Sequence, residues 1–295
     1  ISHDAGGAEI ISNYIKYKKL KNLVLVLKGP AISVFKKNKI KSPKIKFNQA
    51  LKIGKVFITG TSWSSSFEIK ALRKIVSLKK KSITFLDHFC DFKKRFLFKN
   101  KYYFPDELWT FDESAYKNAK KTFHKKIKIK KKKNFLIENI KKKILKLKIP
   151  KNYKYNYLFL SQPIKNFLVK KFNNAELWGY NEFDALKFFL ENIKKLNQDI
   201  NSITIRMHPS DKKQKYKKIL KKYKKYPIKI SKSIELEKDL SKNYFCFGCN
   251  SYSMHIAAEN KNKVFSLNLN QNKKFDLKHK NIINFPNYLK KNELL

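Results

Sequence analysis

The chain has 295 residues, enough for one large domain or for two of about 150 residues each. Lys and Arg number 69 against 22 Asp and Glu, a formal net charge of +47, and hydrophobic residues make up 42% of the chain, which excludes global disorder. No apolar run reaches the roughly 20 residues of a membrane span. The three cysteines are too few and odd in number for a disulfide scaffold, and they suit a reducing cytoplasm.

The positive charge has two interpretations. The favoured residue types have AT-rich codons, so mutational bias accounts for the excess of lysine. In either case such a surface attracts polyanions and anionic lipid headgroups, less strongly as salt is added. Proteins that recognise nucleic acid rely on arginine, and the chain has only Arg73, Arg95 and Arg206. We therefore expect no nucleic-acid partner, whereas a peripheral contact with the inner face of the cell membrane stays open.

The first half of the chain alternates short apolar strands with amphipathic helices. Residues 2–4 resemble the end of a strand, so we expect a few residues of a first strand to precede Ile1. Further strands are predicted at 23–27, 56–59, 82–86 and 108–111, and helices at about 66–78 and 113–121. The run 23–27 is apolar throughout, as in a strand buried on both faces. This alternation predicts a parallel, doubly wound sheet.

Residues 125–154 are predicted to contain the domain boundary. The stretch 125–133 is dense in lysine, and Pro150 closes the segment. A solvated linker or an edge strand accounts for these lysines, and a membrane-surface patch is the alternative. Beyond it, strands are predicted at 157–160, 202–207, 228–230, 244–247 and 264–267, and helices at 182–195, 234–240 and 251–259. We expect two Rossmann-like domains, 1–148 and 149–295, that face a central cleft.

Open α/β sheets bind ligands at the carboxyl ends of their strands, and the first polar group at such a position contains His3, Asp4, Gly6, Gly7 and Glu9. The two glycines let the backbone approach a ligand and expose N–H groups at a helix N-terminus. Either acid can act as a general base. The alternative is a tight turn in which Asp4 caps the helix.

A hydroxyl-rich loop with one aromatic ring follows the strand at 56–59. Hydrogen bonds and ring stacking suit sugar binding by Ser62, Trp63 and Ser64. A serine that caps the next helix explains the loop equally well, and Ser65 or Ser66 can supply that cap alone.

The strand at 82–86 ends in a possible acid–base pair. Asp87 and His88 are suited to form a base with an orienting partner, although a turn or cap is the alternative. Arg95 follows and either anchors an anionic group or forms a structural ion pair.

A phosphate site is predicted in the second half. His208 follows a strand, and Pro209 holds the chain extended beside it. Ser251 and Ser253 open a helix, where N–H groups and the macrodipole favour an anion. The predicted phosphate-binding set is Arg206, His208, Pro209, Ser210, Asn250, Ser251 and Ser253. A structural role for His208 is the alternative.

The chain lacks an obvious metal or redox site. Cys246 and Cys249 form a CxxC, but the first lies inside a predicted strand and no second ligand pair accompanies them. No DxD occurs that could hold a divalent cation on a diphosphate. We expect neither a metal nor a cofactor.

Several segments taken together resemble bacterial GT-B transferases. They are HDAGGAE at 3–9, LDHF at 86–89, PDELW at 105–109, HPSD at 208–211 and GCNSYSMHIAAE at 248–259. The pattern is similar to the sialyltransferase-like and Kdo-transferase-like enzymes that use CMP-sugars, and to CDP-glycerol glycerophosphotransferases. The resemblance implies that His208 and Pro209, with Ser251 or Ser253, hold the donor. It implies an acid of the first domain as base, Asp4 before Asp87, but an Asp/Glu-Asp-Gly element is lacking.

The expected activity is an inverting, metal-independent glycosyl transfer in the cytoplasm, with the nucleotide-sugar as substrate. The donor, a CMP-sugar in preference to a UDP-sugar, would bind residues 149–295. A glycan or lipid-linked acceptor of polysaccharide biosynthesis would bind residues 1–148. Two alternatives stay open: a UDP-sugar epimerase or hydrolase on the same fold, and a basic polyanion-binding protein.

Overall fold

A computed structural model describes residues 1–62, 65–87, 91–123, 127–196, 199–260, 262–270 and 279–292, without the side chain of Lys171. The chain separates into two compact units, unit 1 (Ile1–Asn139) and unit 2 (Ile140–Leu295). The division falls inside one helix, earlier in the chain than the boundary predicted after residue 148. Among the described residues, no helix combines the length and the apolarity needed to cross a bilayer.

Unit 1 is an α/β unit with a parallel sheet. Its strands are β1 (Val56–Thr59), β2 (Lys81–Phe85), β3 (Leu97–Phe98), β4 (Lys101–Tyr102), β5 (Glu107–Thr110) and β6 (Lys128–Lys131). Its helices are α1 (Ala5–Lys18), α2 (Ala31–Lys37), α3 (Phe47–Ile53), α4 (Phe67–Ser77) and α5 (Glu113–Phe123), and α6 (Phe135–Ile144) contains the division. The parallel strands lie in the order β1-β2-β5-β6, and β3 pairs with β4 in an antiparallel hairpin.

Single bridges extend this sheet beyond β1. Ser2 bridges Leu27, and Leu25 bridges Lys44, both in parallel. The backbone N–H of Gly60 donates to the Ile1 carbonyl, which joins the first segment to the end of β1. Residues 1–2 therefore lie between residues 25–27 and β1. This is the strand order of a doubly wound sheet. The predicted strand at 23–27 is not observed as a full strand. It forms one bridge on each side, through Leu27 and through Leu25.

Unit 2 is built on a second parallel sheet. Its strands are β7 (Asn156–Leu160), β8 (Ser202–Arg206), β9 (Ile228–Ile230), β10 (Phe245–Gly248), β11 (Lys263–Ser266) and β12 (Ile282–Asn284), in the order β12-β11-β10-β7-β8-β9. Its helices are α7 (Ile164–Phe172), α8 (Glu182–Asn192), α9 (Lys217–Lys222), α10 (Leu236–Leu240), α11 (Tyr252–Glu259) and α12 (Phe285–Asn292). The chain builds outward from β7 to β9 and then crosses to β10 on the other side of β7.

Aromatic side chains fill the core of unit 2. Phe247 on β10 is fully buried, and its ring centroid lies 4.4 Å from that of Phe189, 5.1 Å from that of Phe265 and 5.0 Å from that of Phe285. All five residues of β7 are buried. This burial is expected of a central parallel strand covered by helices on both faces.

Replacing Phe247 by alanine should lower the free energy of unfolding by about 3–5 kcal/mol, because the ring loses its contacts and leaves a cavity. Urea denaturation followed by circular dichroism measures this change. Phe172→Ala is the matched control, since Phe172 is 46% exposed and its loss should cost less than about 1 kcal/mol. Equal losses in both variants would contradict the central position assigned to Phe247.

Candidate functional site

In unit 1, two loops leave neighbouring strands at the point where the strand order reverses. One leads into the first turn of α1, which contains Gly6 and Gly7, and the other contains Gly60 after β1. A Cβ on Gly7 would lie 3.4 Å from the Gly60 Cα, and one on Gly6 would lie 2.9 Å from Asp87 Oδ2. The glycines therefore allow the first turn of α1 to approach both the β1 loop and the Asp87 carboxylate.

Three carboxyl groups of unit 1 influence one another at this position. The backbone N–H of His3 donates to Glu68 Oε1 at 3.0 Å, and His3 Nδ1 lies 2.7 Å from Asp4 Oδ1. Glu68, on α4, is only 2% exposed. Burial raises the pKa of Glu68 to about 7, the charges of Asp87 and Asp4 add to the rise, and the His3 N–H opposes it.

Asp87 is the second buried carboxyl group. Thr61 Oγ1 donates to its Oδ1 at 2.5 Å. Arg95 Nη1 donates to the Thr61 carbonyl at 3.1 Å and lies 4.0 Å from Asp87 Oδ1. Burial raises the pKa of Asp87, whereas the Arg95 charge and the Thr61 hydroxyl lower it. The environment therefore holds both Glu68 and Asp87 closer to protonation than an exposed carboxyl group.

Carboxyl groups with raised pKa values are suited to proton transfer near neutral pH. Asp4 and Asp87 were predicted from the sequence as candidate bases, whereas Glu68 was not. Its only local signal was an acidic residue between Phe67 and Ile69 near the start of an amphipathic helix, a position more often occupied by a capping or solvated acid. Ser62, a predicted sugar ligand, lies with Glu68 around a small cavity.

Two other predicted residues of unit 1 have structural contacts. Glu9 lies in α1 and not in the preceding loop, and its carboxylate accepts from Lys37 Nζ at 3.2 Å and from Asn38 Nδ2 at 2.9 Å. It therefore fastens α1 to α2. The Arg95 side chain is 1% exposed and is occupied by the Thr61 and Asp87 contacts, which favours the structural ion pair over anchoring of an external anion.

The Asp4 side chain makes no capping hydrogen bond to α1, so the simple capping alternative is not observed. Three predicted site residues, Trp63, Ser64 and His88, lie outside the described residues.

In unit 2, His208 follows β8 in a compact turn. The backbone N–H of Ser210 donates to His208 Nδ1 at 3.2 Å, and Ser210 Oγ lies 2.7 Å from the same nitrogen. Because a backbone N–H can only donate, Nδ1 is the unprotonated nitrogen and Nε2 carries the proton. Burial lowers the pKa of His208 and the Lys215 charge adds to this, while Asp211 opposes it. His208 therefore offers a neutral N–H donor.

Asp211 connects this turn to the end of β7. Its Oδ2 accepts from the His208 N–H at 2.9 Å and from Ser161 Oγ at 2.5 Å. Its Oδ1 lies 2.6 Å from Lys215 Nζ, which also lies 2.7 Å from Glu182 Oε1. The side chains of Asp211 and Glu182 are each 1% exposed. This buried network, which was not predicted from the sequence, fixes the position of His208.

A side-chain amide joins the two loops where the strand order of unit 2 reverses. The Asn250 N–H donates to Gln162 Oε1 at 2.9 Å, and Gln162 Nε2 donates to the Asn250 carbonyl at 3.4 Å. Ser251 occupies the N-cap position of α11 but makes no capping hydrogen bond, and Ser253 lies in the first turn. Within the described residues, the N–H groups of that turn therefore have no serine cap and face the strand ends, as an anion site requires.

Arg206 has contacts that differ from its predicted role in phosphate binding. Its guanidinium donates to the Ser233 carbonyl at 2.9 Å, to the Ile234 carbonyl at 2.7 Å and to Asp239 Oδ2 at 2.6 Å. These contacts hold the segment after β9 against the end of β8. Pro209 is exposed beside His208.

The two described cysteines are inert. Cys246 and Cys249 are free and buried, and burial raises the pKa of both thiols. Within the described ranges, no group of three His, Cys, Asp or Glu side chains is placed to hold a metal ion.

No protein-family model and no curated protein matches the chain. Sixteen solved chains match. A Listeria monocytogenes protein described as a candidate UDP-N-acetylglucosamine 2-epimerase is 14% identical with a TM-score of 0.64, over 99% of this chain and 86% of that one. UDP-GlcNAc 2-epimerase from Neisseria meningitidis, bound to UDP-GlcNAc, is 10% identical with a TM-score of 0.58. The match covers 86% of this chain and 77% of that one. S. aureus MnaA with UDP is 11% identical with a TM-score of 0.56. The match covers 90% of this chain and 76% of that one.

At these identities the likeness concerns the fold. It confirms the prediction of an α/β chain with two Rossmann-like domains of the GT-B-like class. The narrower resemblance to CMP-sugar sialyltransferases and Kdo-transferases finds no support in these three structures.

Glu68→Gln should make the protein more stable than wild type at neutral pH, but not in acid. The pKa of Glu68 is raised from 4.5 to about 7 in the folded chain, so above pH 4.5 the unfolded chain releases its proton first. Wild type should therefore lose about 3 kcal/mol of unfolding free energy relative to the variant as the pH rises from about 4.5 to about 7. Urea denaturation across this range measures the gap. A gap that stays constant with pH would contradict the raised pKa.

Proposed function

We propose that the chain is an enzyme that acts on a UDP-sugar by epimerisation or hydrolysis, in place of the CMP-sugar transfer expected from the sequence. The observation that carries the proposal is the pair of buried carboxyl groups, Glu68 and Asp87, beside the glycine-rich start of α1. Support for the nucleotide comes from the similar structures, of which one contains UDP-GlcNAc and another UDP.

The diphosphate would bind in unit 2. His208 offers its Nε2–H, and the first-turn N–H groups of α11 add donors at the positive end of a helix dipole. Asp211 would act through His208 as a positioning residue, since it accepts the His208 backbone N–H and its side chain is buried. Both sets of donors stabilise negative charge as it develops on a departing UDP.

The uracil base would lie on the segment after β9. Ile234 in this segment is 88% exposed, although the carbonyls of Ser233 and Ile234 are held by Arg206. The exposed Ile234 side chain, at the carboxyl edge of the sheet, would contact the face of the base. Arg206 would thus support nucleotide binding indirectly, through this segment.

The carboxyl groups of unit 1 would transfer protons. Epimerisation at a carbon that carries hydrogen removes a proton from one face and returns one to the other, which requires a base and an acid. With a pKa of about 7, Glu68 populates both protonation states near neutral pH, and Asp87, whose pKa burial also raises, would be the second proton-transfer group. The C2 hydrogen of a UDP-sugar becomes acidic as the anomeric C–O bond to UDP breaks, so UDP would leave C1 as the C2 proton passes to a carboxylate. In epimerisation UDP would then re-form its bond to C1 as a proton returns to the other face of C2. In hydrolysis water would take the place of UDP at C1.

UDP should raise the melting temperature of wild type more than CMP or CDP does. A ligand at 100 times its Kd stabilises by about 2.7 kcal/mol, which a thermal melt resolves. His208→Ala should raise the Kd for UDP at least tenfold, because the Nε2–H donor is lost. A tenfold change in Kd corresponds to about 1.4 kcal/mol of binding free energy. His279→Ala is the matched control, because His279 contacts Glu259 at the opposite end of α11. Preferential stabilisation by CMP would contradict the assignment and restore the transferase prediction.

Glu68→Gln and Asp87→Asn should each lower kcat on UDP-GlcNAc at least a hundredfold, because each removes a proton-transfer group. Such a group typically contributes a factor of about 10²–10⁴ to the rate. UDP binding should stay within about twofold in both. Proton NMR in D₂O follows the reaction: epimerisation through loss of the C2 hydrogen incorporates deuterium at C2, and simple hydrolysis does not. Glu9→Gln is the control carboxyl variant and should retain activity. Turnover that appears only when a glycan acceptor is added would show a transferase instead.

A further inference from the structure

The segment 212–234 in unit 2 carries an unusual excess of positive charge. It contains eleven lysines and no acidic residue. Lys215 is buried in ion pairs with Asp211 and Glu182, and the other ten lysines are exposed. In the described part of the chain, none of these ten forms an ion pair. Such uncompensated charge repels itself and lowers the stability of the compact state unless an anionic partner offsets it.

An apolar groove lies among these lysines. Its floor contains Met207, Tyr216, Leu220 and Ile230, and it encloses about 490 Å³. Met207 follows β8 directly and Ile230 ends β9, and these two strands pair in parallel. The six-residue helix α9 leaves these side chains partly uncovered, so Ile230 is 36% exposed.

Lysines surround this groove at regular intervals. Lys217 and Lys221 are one helical turn apart on α9, and Lys213 and Lys224 flank the helix. Their long apolar stems can lie along the groove while the ammonium groups reach outward. We call this surface, with its four lysines and apolar floor, the lysine groove.

We propose that the lysine groove docks unit 2 on an anionic phospholipid bilayer. The ammonium groups would contact lipid phosphates, and the floor would receive the apolar part of the lipid. Two features favour a bilayer over a nucleic acid. The segment has no arginine for bidentate phosphate contacts, and an apolar floor has no counterpart on a phosphate backbone. The proposal does not depend on the chemistry of the nucleotide.

Vesicle co-sedimentation of the whole chain tests this docking. Wild type should bind phosphatidylcholine vesicles that contain phosphatidylglycerol, and should be released as salt rises well above about 0.1 M. Replacing Lys213, Lys217, Lys221 and Lys224 together by glutamine should weaken binding about a hundredfold, since each lysine near the bilayer contributes severalfold. Ile230→Ser leaves the charge unchanged and removes one apolar contact with the bilayer. It should therefore weaken vesicle binding at least threefold.

The matched control removes the same charge elsewhere. Lys16, Lys36, Lys52 and Lys74 are exposed helical lysines of unit 1 without an ion pair in the described residues, and their joint replacement by glutamine should weaken binding less than threefold. Equal losses in both quadruple variants would overturn the proposal in favour of general attraction to a basic protein. Equal binding to vesicles without phosphatidylglycerol would overturn it too.

Duplex DNA and UDP provide two further comparisons. If the groove variant loses DNA binding while vesicle binding is unchanged, the groove is a nucleic-acid site and the bilayer proposal is wrong. UDP-dependent stabilisation should be the same in the groove variant and in wild type, which also shows that the variant is folded. Failure of UDP binding in wild type would bear on the proposed enzyme and not on membrane docking.

Discussion

In each unit the chain builds a parallel sheet outward from its first strand and then crosses to the other side of that strand. The two loops at this reversal leave adjacent strands in opposite directions, so backbone from both is exposed at one edge. In unit 1 the first turn of α1 approaches so closely that a Cβ on Gly6 would lie 2.9 Å from Asp87 Oδ2, and a Cβ on Gly7 would already contact the Gly60 Cα. In unit 2 the Gln162 amide joins the corresponding loops. Both candidate sites depend on this arrangement of strands.

The buried carboxyl groups of the two units differ in how fully their charge is balanced. In unit 2, Asp211 and Glu182 share the Lys215 ammonium, and further donors complete their hydrogen bonds. Such a network is rigid and holds His208 in position. In unit 1, Asp87 has the Arg95 guanidinium only at 4.0 Å, and Glu68 has the His3 N–H and two neighbouring acids. Burial raises the pKa values of Glu68 and Asp87, and the His3 N–H and the Arg95 charge offset the rise only in part. Carboxyl groups with raised pKa values can transfer protons near neutral pH.

Several features of the protein followed from the sequence because they depend on local order along the chain. The strands at 56–59 and 228–230 coincide with β1 and β9, since a short apolar run between polar turns has few other stable conformations. The same logic placed Asp87 and His208 at strand ends. Two parallel sheets followed from the alternation of strands and helices. The seven-residue helices α2 and α3 were missed, because two turns are too short to establish a helical period.

The tertiary structure alone decided which of these loops meet and which polar side chains are already occupied. Glu68 reaches the site because α4 packs beside the first segment, 65 residues earlier in the chain, a contact that no local pattern records. Arg206 follows a strand as a phosphate ligand would, yet the segment after β9 supplies carbonyls that take up its donors. The sequence by itself determined the strands on which both candidate sites stand and the polar groups at the ends of those strands. Strand order and burial decided their roles, because proximity and desolvation arise only when distant segments pack together.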